Sequence, residues 1–303
     1  MGRYALRRLL QAIPVFIGTT FLIWFLVWGL PGDPFAGRCG QKPCPESYIR
    51  FMTEKFGLDD PLPVQYFNYL INLLQGEFGQ TFNGNEISEL LAQAFPVSIK
   101  LALVAVAAEA LIGITAGVLT GLRRGSFIDN LVLVSTLVLI AMPIFVIGLV
   151  ARYSLGLASV SPEAPLVELI IPGLILGSGS LAYITRLTRV NLVENRRADY
   201  VRTAVAKGLA PSRVTGVHLL RNSMIPVVTW LGLDLGSLMG GAIVTEGIFN
   251  IRGIGGLLFG AINRRESGIV VTIVAILVLA TLLVNLLVDL LYGALDPRIR
   301  HES

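Results

Sequence analysis

Residues 270–291 read VVTIVAILVLATLLVNLLVDLL, a run in which only Asn285 and Asp289 break the apolar character. A helix rises about 1.5 Å per residue and the hydrocarbon core of a bilayer is about 30 Å thick, so about 20 such residues cross it. The same test selects residues 9–30, 98–121, 131–150 and 223–244. Lys100 and Glu109 fall within the second of these, Pro143 in the third, and Pro226 and Asp234 in the fourth. A weaker run at 166–184 is interrupted by Pro172-Gly173 and by Gly177-Ser178-Gly179-Ser180. It is long enough to count as a sixth.

Composition points the same way. Apolar residues make up 54% of the 303 before the 32 glycines are added, and charged residues 15%. Globular chains average roughly 45–50% apolar with glycine included, and about 25% charged. With a mean hydropathy of +0.72, a soluble enzyme, a disordered chain and a disulfide-stapled miniprotein are all excluded. The expected fold is all-α and integral to the membrane, with six transmembrane helices. The first run follows Arg3, Arg7 and Arg8 and so resembles a signal peptide. It is longer than the 7–15 apolar residues of one and lacks a small-residue cleavage site, so it reads as a retained span.

Lys and Arg in the connections set the orientation. One side holds fifteen: the N-terminal tail, Arg123 and Arg124, the stretch from Arg186 to Arg221, and Arg298 and Arg300. The other holds eight, spread over far more residues. Both termini and the 186–222 loop are therefore expected in the cytoplasm, and an even number of spans agrees. The outer connection between the first two spans carries helical patches at 47–56 and 64–74, which predict a small extracytoplasmic helical cap. This gives two parts, 1–95 (first span and cap) and 96–303 (transmembrane core with the 186–222 loop). Cys39 and Cys44 lie in the outer connection as Cys-Gly-Gln-Lys-Pro-Cys. On the oxidising side of a membrane that spacing suits a local disulfide. Free thiols are the alternative, and a metal would need ligands that are not nearby.

The inner loop carries more information. From 196 to 213 it reads RRADYVRTAVAKGLAPSR. Ala, Arg, Val and Lys before Gly208 suit a helix, Gly208 suits its left-handed end, and Pro211 suits the first turn of the next helix. The pattern predicts a helix, a tight turn and a second helix, a shape suited to another protein's groove. The plainer reading is a carrier of positive charge, which would not need the Gly-Leu-Ala-Pro break.

Residues 199–209, DYVRTAVAKGL, resemble the cytoplasmic signature of binding-protein-dependent ABC importer permeases. More narrowly, they resemble the first permease subunit of dipeptide, oligopeptide and nickel importers. Arg202-Thr203-Ala204 stands where the general pattern has Glu-Ala-Ala, Gly208 keeps its spacing, and Leu220-Arg221 replaces Leu-Pro; the peptide branch shares these departures. The likeness extends through 220–229, 240–246, Phe249, 253–255, 285–292 and 295–300, and to Tyr4–Pro34 and 66–79.

The resemblance implies the type I ABC importer permease fold and half of a translocation path for peptides. It also implies a second homologous permease, two cytoplasmic ABC ATPases that use ATP and Mg, and an extracytoplasmic substrate-binding protein, all at the cytoplasmic (inner) membrane. Nickel or another small solute is the alternative cargo. No cofactor is expected on the chain itself, which has no Gly-x-x-x-x-Gly-Lys-Ser/Thr phosphate loop, and nucleic acid is not an expected partner. The coupling residues carried over are Asp199, Tyr200, Arg202, Thr203, Ala204, Lys207 and Gly208. Asp199 and Arg202 are expected to make polar contacts, and Ala204 and Gly208 to permit close approach.

Glu109 and Asp234 are costly inside a membrane, where ionisable groups usually face protein or water. They are candidates for the translocation path, for pairing with each other, for meeting a partner subunit, or for buried structural carboxyls. Residues 254–262 suit a partly inserted or a surface helix. Gly177–Ser180 reads as a helix-packing patch rather than a serine nucleophile, since no histidine lies on its side. A self-sufficient carrier would be expected to show paired broken helices in inverted repeats, and an intramembrane protease a nucleophile–base pair. Neither pattern stands out.

Overall fold

The computed structural model describes residues 2–29, 44–56, 59–81, 84–157, 160 and 165–295. Among these the chain is helical almost throughout; no strand occurs, and one isolated antiparallel bridge joins Gln80 to Glu86. Packing divides it into two compact units, Met1–Ser98 with Asn250–Ser303, and Ile99–Phe249. That grouping follows contacts, whereas the division at 95 and 96 follows membrane position, so the two describe different things.

In the first unit α1 (Gly2–Trp24) continues through a π-helical turn, Phe25–Gly29. The patches expected to be helical form α2 (Glu46–Phe56) and α3 (Leu62–Gln75). Gly76, at φ +81°, ends α3 with its N–H on Leu73 O, while the Glu77 N–H reaches Asn72 O. Tyr66 docks α3 on α1: its hydroxyl donates to Ile17 O at 2.9 Å and lies 2.9 Å from Thr20 Oγ1, and its ring meets Phe21 edge-on. Cys44 is buried beside Trp28, Tyr48 and Ile49. Cys39 lies outside the described residues, and with it the expected Cys39–Cys44 bridge.

The span expected at 98–121 is part of a longer helix. α4 (Ile87–Ala108) passes through a π-helical turn at Glu109–Gly113 into α5 (Ile114–Leu122), an unbroken 36 residues. At 1.5 Å per residue that is about 54 Å, well beyond the hydrocarbon core. The run at 131–150 is not one straight helix: α6 (Phe127–Ala141) and α7 (Ile144–Ser154) meet at 98°. The cause lies at Met142, which is extended (φ −88°, ψ 126°) before Pro143, because a proline pushes its predecessor out of the helical region.

α8 (Leu166–Leu176) and α9 (Ser178–Asn195) meet at 64° across Gly177. Pro172, expected to break this run, lies buried inside α8. There follow α10 (Asp199–Ala206), α11 (Pro211–Arg213), a π-helical stretch Val214–Leu220, α12 (Arg221–Ser223) and α13 (Ile225–Phe249). α13 is bent by 57° between its parts Ile225–Leu238 and Ala242–Phe249. α14 (Ile254–Asn263) and α15 (Ser267–Leu295) return to the first unit, where α15 packs on α1. The Ile254 N–H at the start of α14 donates to Ser98 Oγ at 2.9 Å. Among the described residues, three helices are thus long and apolar enough to cross a membrane unaided, and each bent pair is apolar enough to cross as one.

A glycine seam holds the second unit together. Gly113, Gly117 and Gly121 recur every fourth residue along one side of α4–α5 and face α9. A Cβ on them would lie 2.8 Å from Ile184 Cγ2, 2.5 Å from Thr188 Cβ and 2.8 Å from Leu192 Cδ2 respectively. In lipid, helices associate through such close backbone approach, because the apolar effect gives no drive between them. α6 is fastened to the same helix by charge: Arg189 forks onto Asp129, with Nε on Oδ1 at 2.6 Å and Nη2 on Oδ2 at 2.8 Å. One turn earlier Arg186 donates to Thr136 Oγ1 and Leu133 O.

Candidate functional site

The stretch from Asp199 to Arg213 folds as its residues suggest. Asp199 occupies the first turn of α10, where its charge complements the exposed N–H groups. The helix ends at Lys207, with Gly208 at φ +72°. The Gly208 N–H donates to Val205 O at 2.9 Å and the Leu209 N–H to Ala204 O at 3.3 Å. This is the two-bond left-handed cap that satisfies the last carbonyls of a helix and folds the following apolar residue back onto it. Pro211 then opens α11, where its missing N–H costs nothing.

This knuckle has two faces. Val201 and Ala204 point inward and join Leu192, Val214 and Leu219 in a buried cluster, with Leu209 and Leu220 packed against it. Asp199, Tyr200, Arg202, Thr203, Lys207 and Gly208 are exposed. Six of the seven residues expected to couple are therefore available to a partner. The seventh, Ala204, is 4% exposed and turned into the chain's own core, so its smallness serves internal packing. Tyr200 Oη donates to Asn195 Oδ1 at 2.6 Å, tying α10 to the end of α9. Thr203 Oγ1 is turned back onto Asp199 O at 2.8 Å. Helix α9 itself runs to Asn195, so Arg186 and Arg189 are helical and fastened to α6 rather than part of a charged loop.

Glu109 and Asp234 are electrostatic neighbours. Glu109 is 0% exposed and neither of its oxygens is hydrogen-bonded. Its room comes from Gly177, whose Cβ would sit 2.7 Å from Glu109 Oε1. Asp234 Oδ1 accepts from Ser237 Oγ at 2.7 Å, while its buried Oδ2 has no partner. Nearby on the same helix, Trp230 lies against Tyr183 with ring centroids 4.1 Å apart and planes tilted by 36°. Among the described residues no group of three His, Cys, Asp or Glu could hold a metal.

The sequence reading missed Leu192 and the glycine seam. Leu192 is fully buried and belongs to the cluster under α10, yet it also lies against Gly121 of α5. The four-residue glycine spacing was the available signal for the seam; Leu192 carried none, since its contacts lie far along the chain.

Residues 113–301 match the family described as binding-protein-dependent transport system inner membrane component, and residues 1–102 match the N-terminal family of the same membrane components. A di/tripeptide transport system permease protein of Pseudomonas aeruginosa is 37% identical over 335 residues, covering all of both chains. A dipeptide transport system permease protein of Escherichia coli K12 is 36% identical over 340 residues, again covering both chains in full. An oligopeptide transport system permease protein of Bacillus subtilis is 33% identical over 317 residues, with 99% of this chain and 100% of that one covered. With its apolar helices and a match along nearly its whole length, the chain is a multi-pass membrane protein of the type I ABC permease fold and belongs to the binding-protein-dependent transport system inner membrane component family.

Proposed function

We propose that this chain is one of two homologous permease subunits of an ATP-driven importer, and forms half of the path by which di- or oligopeptides cross the cytoplasmic membrane. The family supports an import route fed by a binding protein, and the three relatives' names speak for peptide cargo rather than nickel or another small solute. The chain crosses six times, each bent pair counting as one crossing, with both termini in the cytoplasm and α2 and α3 forming an outer cap. Two ABC ATPases that bind ATP and Mg dock beneath, and the chain performs no catalysis itself.

The observation that carries the reading is the α10–α11 knuckle, polar outside and anchored inside by Leu192. Closure of the ATPase pair pushes on Asp199, Tyr200, Arg202, Thr203, Lys207 and Gly208, and the anchored inner face passes that displacement to α9. Rigid tilting of packed helices then opens the path to alternate sides. Glu109 and Asp234 form a carboxyl pair beside that path, Asp234 nearer to it.

Gly208→Ile tests the coupling. A Cβ there meets nothing within 4 Å, so the penalty is conformational, about 1–2 kcal/mol for a left-handed non-glycine residue. The importer reconstituted with its binding protein is expected to assemble, and its ATP-dependent peptide uptake to fall at least tenfold. Unaltered uptake by the assembled variant would remove the knuckle from the mechanism. Peptide uptake by the chain alone in liposomes would replace the importer reading with a self-sufficient carrier.

A further inference from the structure

Where α5 and α9 end and α10 begins, the chain forms an open cleft of about 390 Å³ lined by Gly121, Arg124, Val193 and the exposed Arg196, Arg197 and Arg202. Four arginines thus line one small space. None of them makes a side-chain hydrogen bond or ion pair with a described residue, in contrast to Arg186 and Arg189 a few turns back on α9. Asp129, the carboxylate within electrostatic reach of Arg124, is occupied by the Arg189 fork and by the Gly125 N–H at 2.8 Å. Glu194 and Asp199 are exposed and make no ion pair with any of the four. Four like charges around an unneutralised cavity repel one another, and a bound anion relieves that repulsion.

The anion's chemistry follows from the donors. Arginine forks bind carboxylates and phosphates with paired hydrogen bonds. A carboxylate has two oxygens to share among four guanidiniums; a phosphate group has more, and spreads them in three dimensions. The volume lies at the lower end of the roughly 300–1,000 Å³ of small-molecule sites, a size suited to a headgroup. In the preceding turn of each helix, Leu119 and Leu122 on α5 and Val190 on α9 are exposed apolar side chains, as a lipid-facing surface requires. Basic pockets between membrane helices on the cytoplasmic side are recurrent sites for anionic headgroups.

We propose that this cavity is a phosphate-group site, filled by the headgroup of an acidic phospholipid such as phosphatidylglycerol. The site goes beyond the coupling role, shares Arg202 with the surface proposed to meet the ATPases, and does not require that role. The full-length chain, purified in nonionic detergent with the subunits that accompany it, is titrated by native mass spectrometry with phosphatidylglycerol, with phosphatidylcholine and, separately, with inorganic phosphate. Retention of phosphatidylglycerol at least tenfold over phosphatidylcholine is expected, falling at least tenfold in Arg124→Gln/Arg197→Gln. Arg197→Lys, which keeps the charge but loses the fork, is expected to fall in between.

Arginine-dependent binding of inorganic phosphate without lipid preference supports the same chemistry and assigns the free ion as its source. Should the double variant fail to purify, Arg124→Gln and Arg197→Gln are read singly, each expected to lower retention about threefold. Lipid and phosphate binding that ignores these arginines overturns the proposal. So does an acidic side chain of an accompanying subunit found cross-linked into the cavity.

Discussion

Replacing Gly117 with alanine puts the glycine seam to its most direct test, because the usual sign of that substitution is reversed there. In an ordinary helix interior Gly→Ala stabilises by about 0.8–1 kcal/mol. At Gly117 the new Cβ would lie 2.5 Å from Thr188 Cβ and 2.6 Å from Thr185 O. The first contact is about 1–1.5 Å short of the roughly 3.5–4.0 Å optimum between carbons. The second neighbour is a backbone carbonyl in the middle of α9 and cannot rotate aside.

The two helices must therefore part by about 1 Å, and a gap of 0.5–1 Å forfeits roughly a quarter to a half of each contact's dispersion energy along the seam. Overpacking of this kind costs about 1–3 kcal/mol, more than the propensity gain, and Gly117→Val belongs at the top of that range. Gly179 on α9 is the control, since a Cβ there meets nothing within 4 Å. Thermal unfolding of the purified protein in detergent at a fixed scan rate is expected to show Gly117→Ala below wild type, Gly117→Val lower still, and Gly179→Ala level or above. A Gly117→Ala protein as stable as wild type would refute the seam.

Three more outcomes are open to measurement. Leu192→Ala removes a fully buried side chain at a cost of about 2–5 kcal/mol; in the reconstituted importer, peptide uptake is expected to fall more than ATP hydrolysis, and an equal fall in both would count against Leu192 as the link. Arg189→Met leaves Asp129, 1% exposed, as an unpaired buried charge and is expected to cost about 3–5 kcal/mol; Asp129→Asn/Arg189→Met should recover much of that in a thermal-unfolding double-mutant cycle, and simple additivity would show that the pair is not coupled. Glu109→Gln keeps the shape and brings an amide donor towards Asp234, so Tm is expected to hold or rise; a fall of more than about 1 kcal/mol in stability would show that the acid itself bonds to Asp234 better than the amide does.

The legible parts of the chain are those decided locally. Gly208 and Pro211 shape the knuckle by their own backbone preferences, so the turn could be read from residues 196–213. The apolar runs could be read because length and hydropathy are properties of a segment alone. What escaped depends on partners distant in sequence. Arg186 and Arg189 looked like loop charges, yet Thr136 and Asp129, 50 and 60 residues earlier, make them helix fastenings. Pro143 was visible inside what read as one span, but its effect is set through Met142, whose extended backbone divides that span at a 98° bend. Ala204 was assigned to an outer surface because α10 alone does not say which face the chain will cover.

The bends and the seam together determine how far a push on the knuckle travels. Leu192 lies both in the cluster beneath α10 and against Gly121, so α10 cannot slide on α9 without disturbing the α5 contact. The seam continues through Gly117 to Gly113, and the Arg189–Asp129 fork brings in the start of α6. In the proposed coupling, a force applied at Arg202 or Lys207 is thus expected to reach α5, α9 and α6 as one body. That body ends where the backbone leaves the straight helix, at Met142-Pro143 beyond α6 and at Gly177 before α9. Gly177 is also the residue whose missing side chain makes room for Glu109. In the proposed coupling, rotation at that bend is therefore expected to change the space around the Glu109–Asp234 pair.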